Sequence, residues 1–136
     1  MRIEFRGWDE FDREMQQLGN VGTWAKPIMD RAVKHVHSQV PAYPSPPSTS
    51  RYRRTGTLGR SIVGEVRSLT GNDIVGAIGT RTVYAPWVIS SEKGKGGRGP
   101  QAKVHKGRWY TLQGVVMGQA DKVRQIFETE IRKLLN

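Results

Sequence analysis

Residues 62–79 decide the fold of this chain, and they read Ile-Val-Gly-Glu-Val-Arg-Ser-Leu-Thr-Gly-Asn-Asp-Ile-Val-Gly-Ala-Ile-Gly. Positions 62, 64, 66 and 68 alternate with 63, 65 and 67 as the two faces of a strand would, and positions 74–79 form a second, largely apolar run. Both patterns are typical of β-strands. Positions 70–73 carry the Thr, Gly, Asn and Asp that favour a tight turn between paired strands. The stretch therefore predicts an antiparallel β-hairpin.

Helical periodicity lies upstream of the hairpin. Apolar residues recur every four positions at Trp24, Ile28, Ala32, Val36 and Val40. This spacing places them on one side of a long helix, which we expect to end before Pro41. Because proline is tolerated in the first helical turn, Pro27 predicts that this helix begins between residues 23 and 26.

The N-terminal residues predict two further elements. Ile3 and Phe5 fall on one face of an extended segment, which indicates a short strand. Asp9 can cap a helix that follows this strand. The apolar side of that helix consists of Trp8, Phe11, Met15 and Leu18.

Several elements are predicted on the C-terminal side as well. Thr55 can cap a helical turn that reaches Leu58, and the apolar cluster at 84–89 suggests a short helix. Residues 108–112 suggest a third strand, and a final helix is expected over 115–135. The apolar stripe of this helix consists of Val116, Ala120, Val123, Phe127, Ile131 and Leu134.

Together these elements predict an α+β fold, a small antiparallel β-sheet packed by a long central helix and a C-terminal helix. A length of 136 residues suits a single domain that spans 1–136. Segments 41–54 and 91–107 are rich in Pro and Ser or in Gly and Lys, and neither shows core-facing periodicity. We expect them to be mobile, unpacked arms of the isolated subunit. No run of about 18 apolar residues occurs, so the sequence predicts no contact with a membrane.

Positive charge is concentrated in the middle of the chain. Residues 51–108 contain 12 Lys and Arg against 3 Asp and Glu, and the whole chain has a net charge of +10. A concentrated positive field attracts phosphate, nucleic acid or an acidic protein. Aromatic residues in the same region can stack on bases, which leaves direct nucleic-acid binding as one interpretation.

No pattern of a catalytic, metal or cofactor site emerges from the sequence. Residues 94–99 match the spacing of a dinucleotide-binding loop but lack the strand before it and the helix after it. His35 and His37 point to different faces of the predicted helix, so we expect both to face solvent or a partner. The acidic residues at 9–14 suit a helix N-terminus, and no nucleophile accompanies them. We therefore expect a protein that is not an enzyme and uses no cofactor.

Three motifs follow one another in the middle of the chain. They are Thr55-Gly56-Thr57-Leu58-Gly59-Arg60-Ser61-Ile62, then Ile78-Gly79-Thr80, then Tyr84-Ala85-Pro86-Trp87-Val88. In order and spacing they resemble the Thr-Gly-x-Leu-x-x-Ser-Ile, Val-Gly-Thr and Tyr-Ala-x-x-Val motifs of the tail-completion and head–tail joining proteins of long-tailed bacteriophages. The family usually continues with Glu and a Gly-Thr step, whereas this chain has Ile89-Ser90-Ser91-Glu92 and then a Gly/Lys-rich insertion. We expect Leu58, Ile62, Tyr84 and Trp87 to tie the hairpin to the long helices.

This resemblance implies a structural protein of a phage or prophage neck, located in the virion and assembled in the host cytoplasm. It implies a homo-oligomeric ring, a hexamer or a dodecamer, that binds the head connector, the tail tube or a terminator protein, with DNA in its lumen. The motif positions with a structural role are Thr55, Gly56, Leu58, Ser61, Ile62, Gly79, Tyr84, Ala85, Trp87 and Val88. The basic positions expected to contact subunits, partners or DNA are Arg51, Arg53, Arg54, Lys93, Lys95, Arg98, Lys103 and Lys106. The alternative is a small basic nucleic-acid-binding accessory protein.

Overall fold

The computed structural model describes residues 2–4, 21–42, 56–70, 73–93 and 95–136. Its strands are β1 (Arg2–Glu4), β2 (Val63–Thr70) and β3 (Asp73–Gly79). Its helices are α1 (Val21–Ser38), α2 (Thr57–Ser61), α3 (Ala85–Ile89), α4 (Leu112–Gly118) and α5 (Ala120–Leu135), and a 3-10 turn covers Lys95–Gly97. The chain therefore has a small α+β fold, as the sequence predicts.

The predicted hairpin forms the centre of the sheet. β2 and β3 pair antiparallel, with Val63 opposite Gly79 and Arg67 opposite Val75. β1 pairs antiparallel with the other edge of β3, so the strand order is β1-β3-β2. The short N-terminal strand is thus confirmed. Phe5, the predicted helix from Asp9 and most of the 41–54 segment lie outside the described residues.

α1 crosses one face of the sheet at close range, and two glycines allow this approach. Gly64 of β2 and Gly76 of β3 share a face, because alternate and directly paired residues of an antiparallel sheet lie on the same side. A Cβ atom at Gly76 would lie 2.6 Å from Val33 Cγ2 and 2.7 Å from Met29 Sδ, and one at Gly64 would overlap Val33 Cγ1. The Val33 side chain therefore occupies a hollow that exists because both strands carry glycine there.

The limits of α1 differ from the predicted ones. The helix already includes Val21, so Pro27 lies inside it, and the predicted start between residues 23 and 26 is wrong. Pro27 lacks the N–H that would donate to Thr23 O, but both residues are exposed, so water can satisfy that carbonyl. The helix ends at Ser38, and Val40 follows in a tight turn that precedes Pro41.

The C-terminal region corrects two predictions. The expected strand at 108–112 does not form, because Thr111 is the N-cap of α4, and its Oγ1 accepts a hydrogen bond from Gly114 N at 3.1 Å. The expected single helix over 115–135 begins earlier and is interrupted at Gln119, whose φ of −102° and ψ of 4° are not helical. Of its predicted apolar stripe, Val116, Val123, Phe127 and Ile131 are buried, whereas Ala120 and Leu134 are exposed.

One hydrophobic core joins the helices α1 to α5 and the hairpin. Its largest fully buried side chains come from three different helices and are Met29, Val36, Ile89 and Ile131. Leu58 and Ile62 near α2, Ile78 of β3 and Leu112 of α4 pack into the same cluster. The core therefore lies between the α1 face of the sheet and the C-terminal helices, as the predicted layout requires.

Glu130 links the two long helices electrostatically. Its Oε1 atom lies 2.7 Å from Arg31 Nη1 of α1 and 3.1 Å from Lys133 Nζ, three residues further along α5. The hydrogen bond from Lys133 lowers the pKa of Glu130 below its ordinary value; partial burial opposes this, and the Arg31 and Lys133 charges reinforce it. The carboxylate therefore stays ionised to lower pH than an isolated glutamate.

Candidate interaction surface

Three hydroxyl groups join α2 to the segment that follows β3. Ser61 Oγ lies 2.6 Å from Thr80 Oγ1, which donates to Thr82 Oγ1 at 3.0 Å. Thr82 Oγ1 donates in turn to Ser61 Oγ at 2.8 Å, and Ser61 Oγ donates to Leu58 O at 2.6 Å. All of these contacts are partly buried, so the chain of hydrogen bonds fixes the first motif against the second.

Apolar residues and a glycine position α2. Leu58 and Ile62 are buried in the core, as predicted. Gly56 is the N-cap of the helix, and its φ of 75° is a left-handed conformation that favours glycine. The predicted cap at Thr55 is therefore wrong, because Gly56 occupies that position; Thr55 itself lies outside the described residues.

α3 buries its small and branched residues and exposes its aromatic ones. Ala85 and Ile89 are buried, Val88 is half-buried, and Tyr84 and Trp87 are 45% and 40% exposed. The expectation that Tyr84 and Trp87 tie the hairpin to the long helices is therefore wrong. Ala85 and Ile89 are four residues apart and share the one face that this short helix presents to the core.

Gln101 anchors the loop that follows α3. Its Nε2 donates to Val88 O at 2.6 Å and to Trp109 O at 3.2 Å, and its backbone N–H donates to Ser90 O at 2.7 Å. The side chain is buried, although no motif or periodicity marks it in the sequence. The expectation that segment 91–107 stays unpacked is thus wrong around Gln101, while the mobility of both arms stays a prediction.

The predicted contact residues are exposed where the structure describes their side chains. These are Lys93, Arg98, Lys103 and Lys106, and none of their side chains forms an ion pair or hydrogen bond with another described residue. Arg51, Arg53, Arg54 and the side chain of Lys95 lie outside the described part of the chain. Acidic partners are instead found for Arg31, Arg67, Arg124 and Lys133, which belong to the helices and the hairpin.

Exposed apolar side chains lie on the same two segments as some of these cations or on segments that meet them. Ala102 N donates to Trp87 O at 2.8 Å, which brings Trp87 next to the segment that carries Lys103 and Val104. Val104 is 66% exposed. We call the set of Tyr84, Trp87, Lys103, Val104 and Lys106 the aromatic–basic surface.

The two histidines of α1 have structural partners. His35 Nε2 lies 2.7 Å from Gln119 Oε1, and His37 Nε2 lies 2.9 Å from Ile62 O. They point in different directions, as expected, but the interpretation that they only face solvent or a partner is wrong, because each joins α1 to another element. Among the described residues, no three His, Asp or Glu side chains lie close enough together to hold a metal ion.

Comparisons with known proteins leave the family open. No protein-family model, no curated protein and no solved structure matches this chain. Of the helices in the described ranges, none combines the length and the apolar character needed to cross a membrane.

Proposed function

We propose that this chain is a structural protein of a phage or prophage neck, which forms a ring of identical subunits and joins the tail tube to the head connector. In this proposal the chain acts by binding other proteins and not by catalysis. The aromatic–basic surface is the part of each subunit that contacts a neighbouring subunit or ring.

The composition of the aromatic–basic surface is the observation that carries this proposal. Tyr84, Trp87 and Val104 remain substantially exposed, although residues of these types gain free energy when they are buried. Aromatic residues are enriched at protein interfaces. Lys103 and Lys106, which have no acidic partner in the described part of the chain, suit a partner surface that carries Asp or Glu.

The packing of the three motifs also supports the proposal. The Ser61, Thr80 and Thr82 hydroxyls connect the first two motifs, and Ala85 and Ile89 place the third in the same core as Leu58. The motifs that carry the resemblance are therefore neighbours in one packed unit. A unit that is already ordered loses little conformational freedom on assembly, which favours ring formation.

In vitro complementation tests this function. Deletion of the gene from the phage or prophage genome that carries it is expected to leave filled heads and separate tails, visible by electron microscopy. Addition of the purified protein to such a lysate should restore joined, infectious particles, whereas a Tyr84→Ser/Trp87→Ser variant should not. Met117→Ser is the matched control, because Met117 is 69% exposed on α4 but lies outside the aromatic–basic surface. Normal virions from the deletion strain would overturn the proposal.

The unpaired cations favour a second candidate, a small basic nucleic-acid-binding accessory protein. A variant that changes Lys93, Lys95, Arg98, Lys103 and Lys106 to Gln separates the two functions. For a neck protein, this variant should fail to join heads and tails. For a nucleic-acid binder, its main defect should be weaker DNA binding, with a salt slope reduced by about 0.9 for each lost phosphate contact. Normal particle yield together with lost DNA affinity would favour the accessory function.

A further inference from the structure

A small basic cavity lies where the segment after β3 meets α3 and the loop that follows it. Its volume is about 280 Å³, and Arg81, Arg98, Ser90 and Gln113 are among the residues that line it. Among the described residues, no Asp or Glu lines this cavity. Both arginine side chains are exposed, and neither has a hydrogen-bond or ion-pair partner in the described ranges.

The neutral polar groups of the cavity already have partners. Gln113 Nε2 donates to Ser90 Oγ at 3.0 Å, and Gln113 Oε1 accepts a backbone N–H at 3.1 Å. Ser90 Oγ donates in turn to Glu92 O at 2.8 Å. The Thr80 hydroxyl donates to Thr82, and the Thr82 hydroxyl donates to Ser61 of α2. The arginines therefore supply the strongest free donors of the cavity, and such donors select an anion.

Local contacts restrict the backbone beside each arginine. Thr82 N donates to Thr80 Oγ1 at 3.1 Å, which closes a tight turn around Arg81. Gly99, which follows Arg98, has a φ of 82°, and a Cβ atom there would lie 3.1 Å from two backbone carbonyl oxygens. A side chain at this position would therefore crowd both carbonyls, and the left-handed φ favours glycine. Donors on fixed backbone lose less freedom when a ligand binds.

We propose that this cavity holds a phosphate group of the DNA backbone, with Arg81 and Arg98 as its hydrogen-bond donors. The planar guanidinium fork matches the oxygen atoms of a phosphate. A phosphodiester of a polymer fits better than a single small anion, because the exposed Lys93 on the same loop adds positive charge beyond the cavity. The location of this site in a ring depends on the proposed function, in which each subunit would hold DNA at this cavity.

DNA binding by the purified full chain tests the site without reference to particle assembly. Fluorescence anisotropy with a short labelled duplex at fixed salt should show that Arg81→Gln/Arg98→Gln weakens binding by about tenfold or more. Arg81→Lys/Arg98→Lys keeps the charge but loses the planar guanidinium groups, so its DNA affinity should lie between that of the wild type and that of Arg81→Gln/Arg98→Gln. The matched control is Lys122→Gln/Arg132→Gln, which removes the same charge from exposed positions of α5 and should have the smaller effect. Circular dichroism verifies that each variant is folded.

Inorganic phosphate locates the site independently of the polymer. In a proton–nitrogen correlation spectrum, phosphate should shift the amide signals of residues 80–82 and 98–99 more than chloride does at equal ionic strength. These shifts should disappear in the Arg81→Gln/Arg98→Gln variant.

Four outcomes would overturn this proposal. The first is a wild-type chain that does not bind duplex DNA, and the second is an equal loss of DNA affinity in the Arg81→Gln/Arg98→Gln variant and in the α5 control. The third is a set of phosphate-induced shifts at the cavity while Arg81→Gln/Arg98→Gln leaves duplex binding unchanged. The fourth is that Arg81→Gln/Arg98→Gln weakens binding of a polyglutamate peptide but not of DNA. The third outcome would assign the cavity to a small free anion, and the fourth to an acidic protein. A chain that does not bind DNA would contradict only the phosphate site, because complementation tests head–tail joining independently.

Discussion

Replacing Gly64 with alanine puts a methyl group into space that Val33 Cγ1 already occupies. Apart from Val33, the nearest atom to this methyl group is Ala77 O at 3.8 Å, an ordinary van der Waals distance. Overpacking of this kind lowers the free energy of unfolding by about 1–3 kcal/mol, because the helix must move away from the sheet. We expect Gly64→Ala to destabilise the chain by this amount.

A second substitution should relieve the overlap. Val33→Ala alone removes two buried methyl groups, which contribute about 0.8 kcal/mol each, and leaves a cavity that adds to the loss. In the double variant, the methyl group on β2 enters part of the space that the valine side chain vacates. The double variant should therefore be more stable than the sum of the single effects predicts, by about 1–3 kcal/mol.

Urea unfolding of the wild type, both single variants and the double variant gives this coupling energy. Gly79→Ala is the matched control, because Gly79 also lies in the hairpin and nothing is within 4 Å of its Cβ position. Its effect should stay below about 0.5 kcal/mol. Additive effects of Gly64→Ala and Val33→Ala would refute the close crossing of α1 over the hairpin.

Three further predictions concern the loop anchor, the helix pair and the exposed surface. Gln101→Ala should lower the free energy of unfolding by about 1–3 kcal/mol, because Val88 O and Trp109 O lose a donor, and an unchanged urea midpoint would contradict the anchoring role. Folding lowers the pKa of Glu130, so its contribution to stability is present above pH 4.5 and is lost as the pH falls through the lowered pKa. When the pH is lowered below 4.5, the melting temperature of Glu130→Gln should therefore fall less than that of the wild type, and an equal fall in both proteins would contradict this. Trp87→Ala should cost less than the roughly 3–5 kcal/mol typical of a buried aromatic and should weaken self-association in light scattering; a large loss of melting temperature with unchanged association would contradict the surface role.

The hairpin could be predicted because its determinants are local. Alternation in residues 63–68 and turn chemistry at 70–73 act within a few residues, and β2 and β3 follow them. The apolar face of α1 was visible in the same way through Ile28, Ala32 and Val36. The hollow that receives the Val33 side chain could not be predicted from the sequence, because it depends on how a helix and two strands pack in three dimensions.

Two of the errors involve tertiary contact overriding local preference. Trp109 and Tyr110 have high β-propensity, but that propensity reflects half-burial on a packed surface, and here the surface is the helical core. Pro27 indicated a later start of α1, yet an exposed proline inside a well-packed helix is tolerated because neighbouring contacts stabilise the turn before it.

The candidate site could be predicted only in part. The Gly and Lys content of the loop after α3, and its position after the third motif, were enough to predict a loop with exposed lysines. Gln101, Arg81 and the Ser61–Thr82 hydrogen bond carried no comparable signal, since they depend on residues that are far apart in the chain. A polar residue that satisfies backbone carbonyls looks like any loop residue until the fold brings those carbonyls together.

The distribution of acidic residues gives the anchored loop a further consequence. Where the structure describes ion pairs, they lie on the helices and the hairpin, as between Arg31 and Glu130 or Arg124 and Asp121. The basic loop after α3 therefore keeps its positive charge uncompensated within the described residues. Because Gln101 holds the loop against α3 at its own position, the segments that carry these charges stay near one another, and the repulsion between like charges raises the free energy of the unbound state. An anionic partner removes this repulsion on binding, so the anchoring that places the charges also strengthens the electrostatic part of the association.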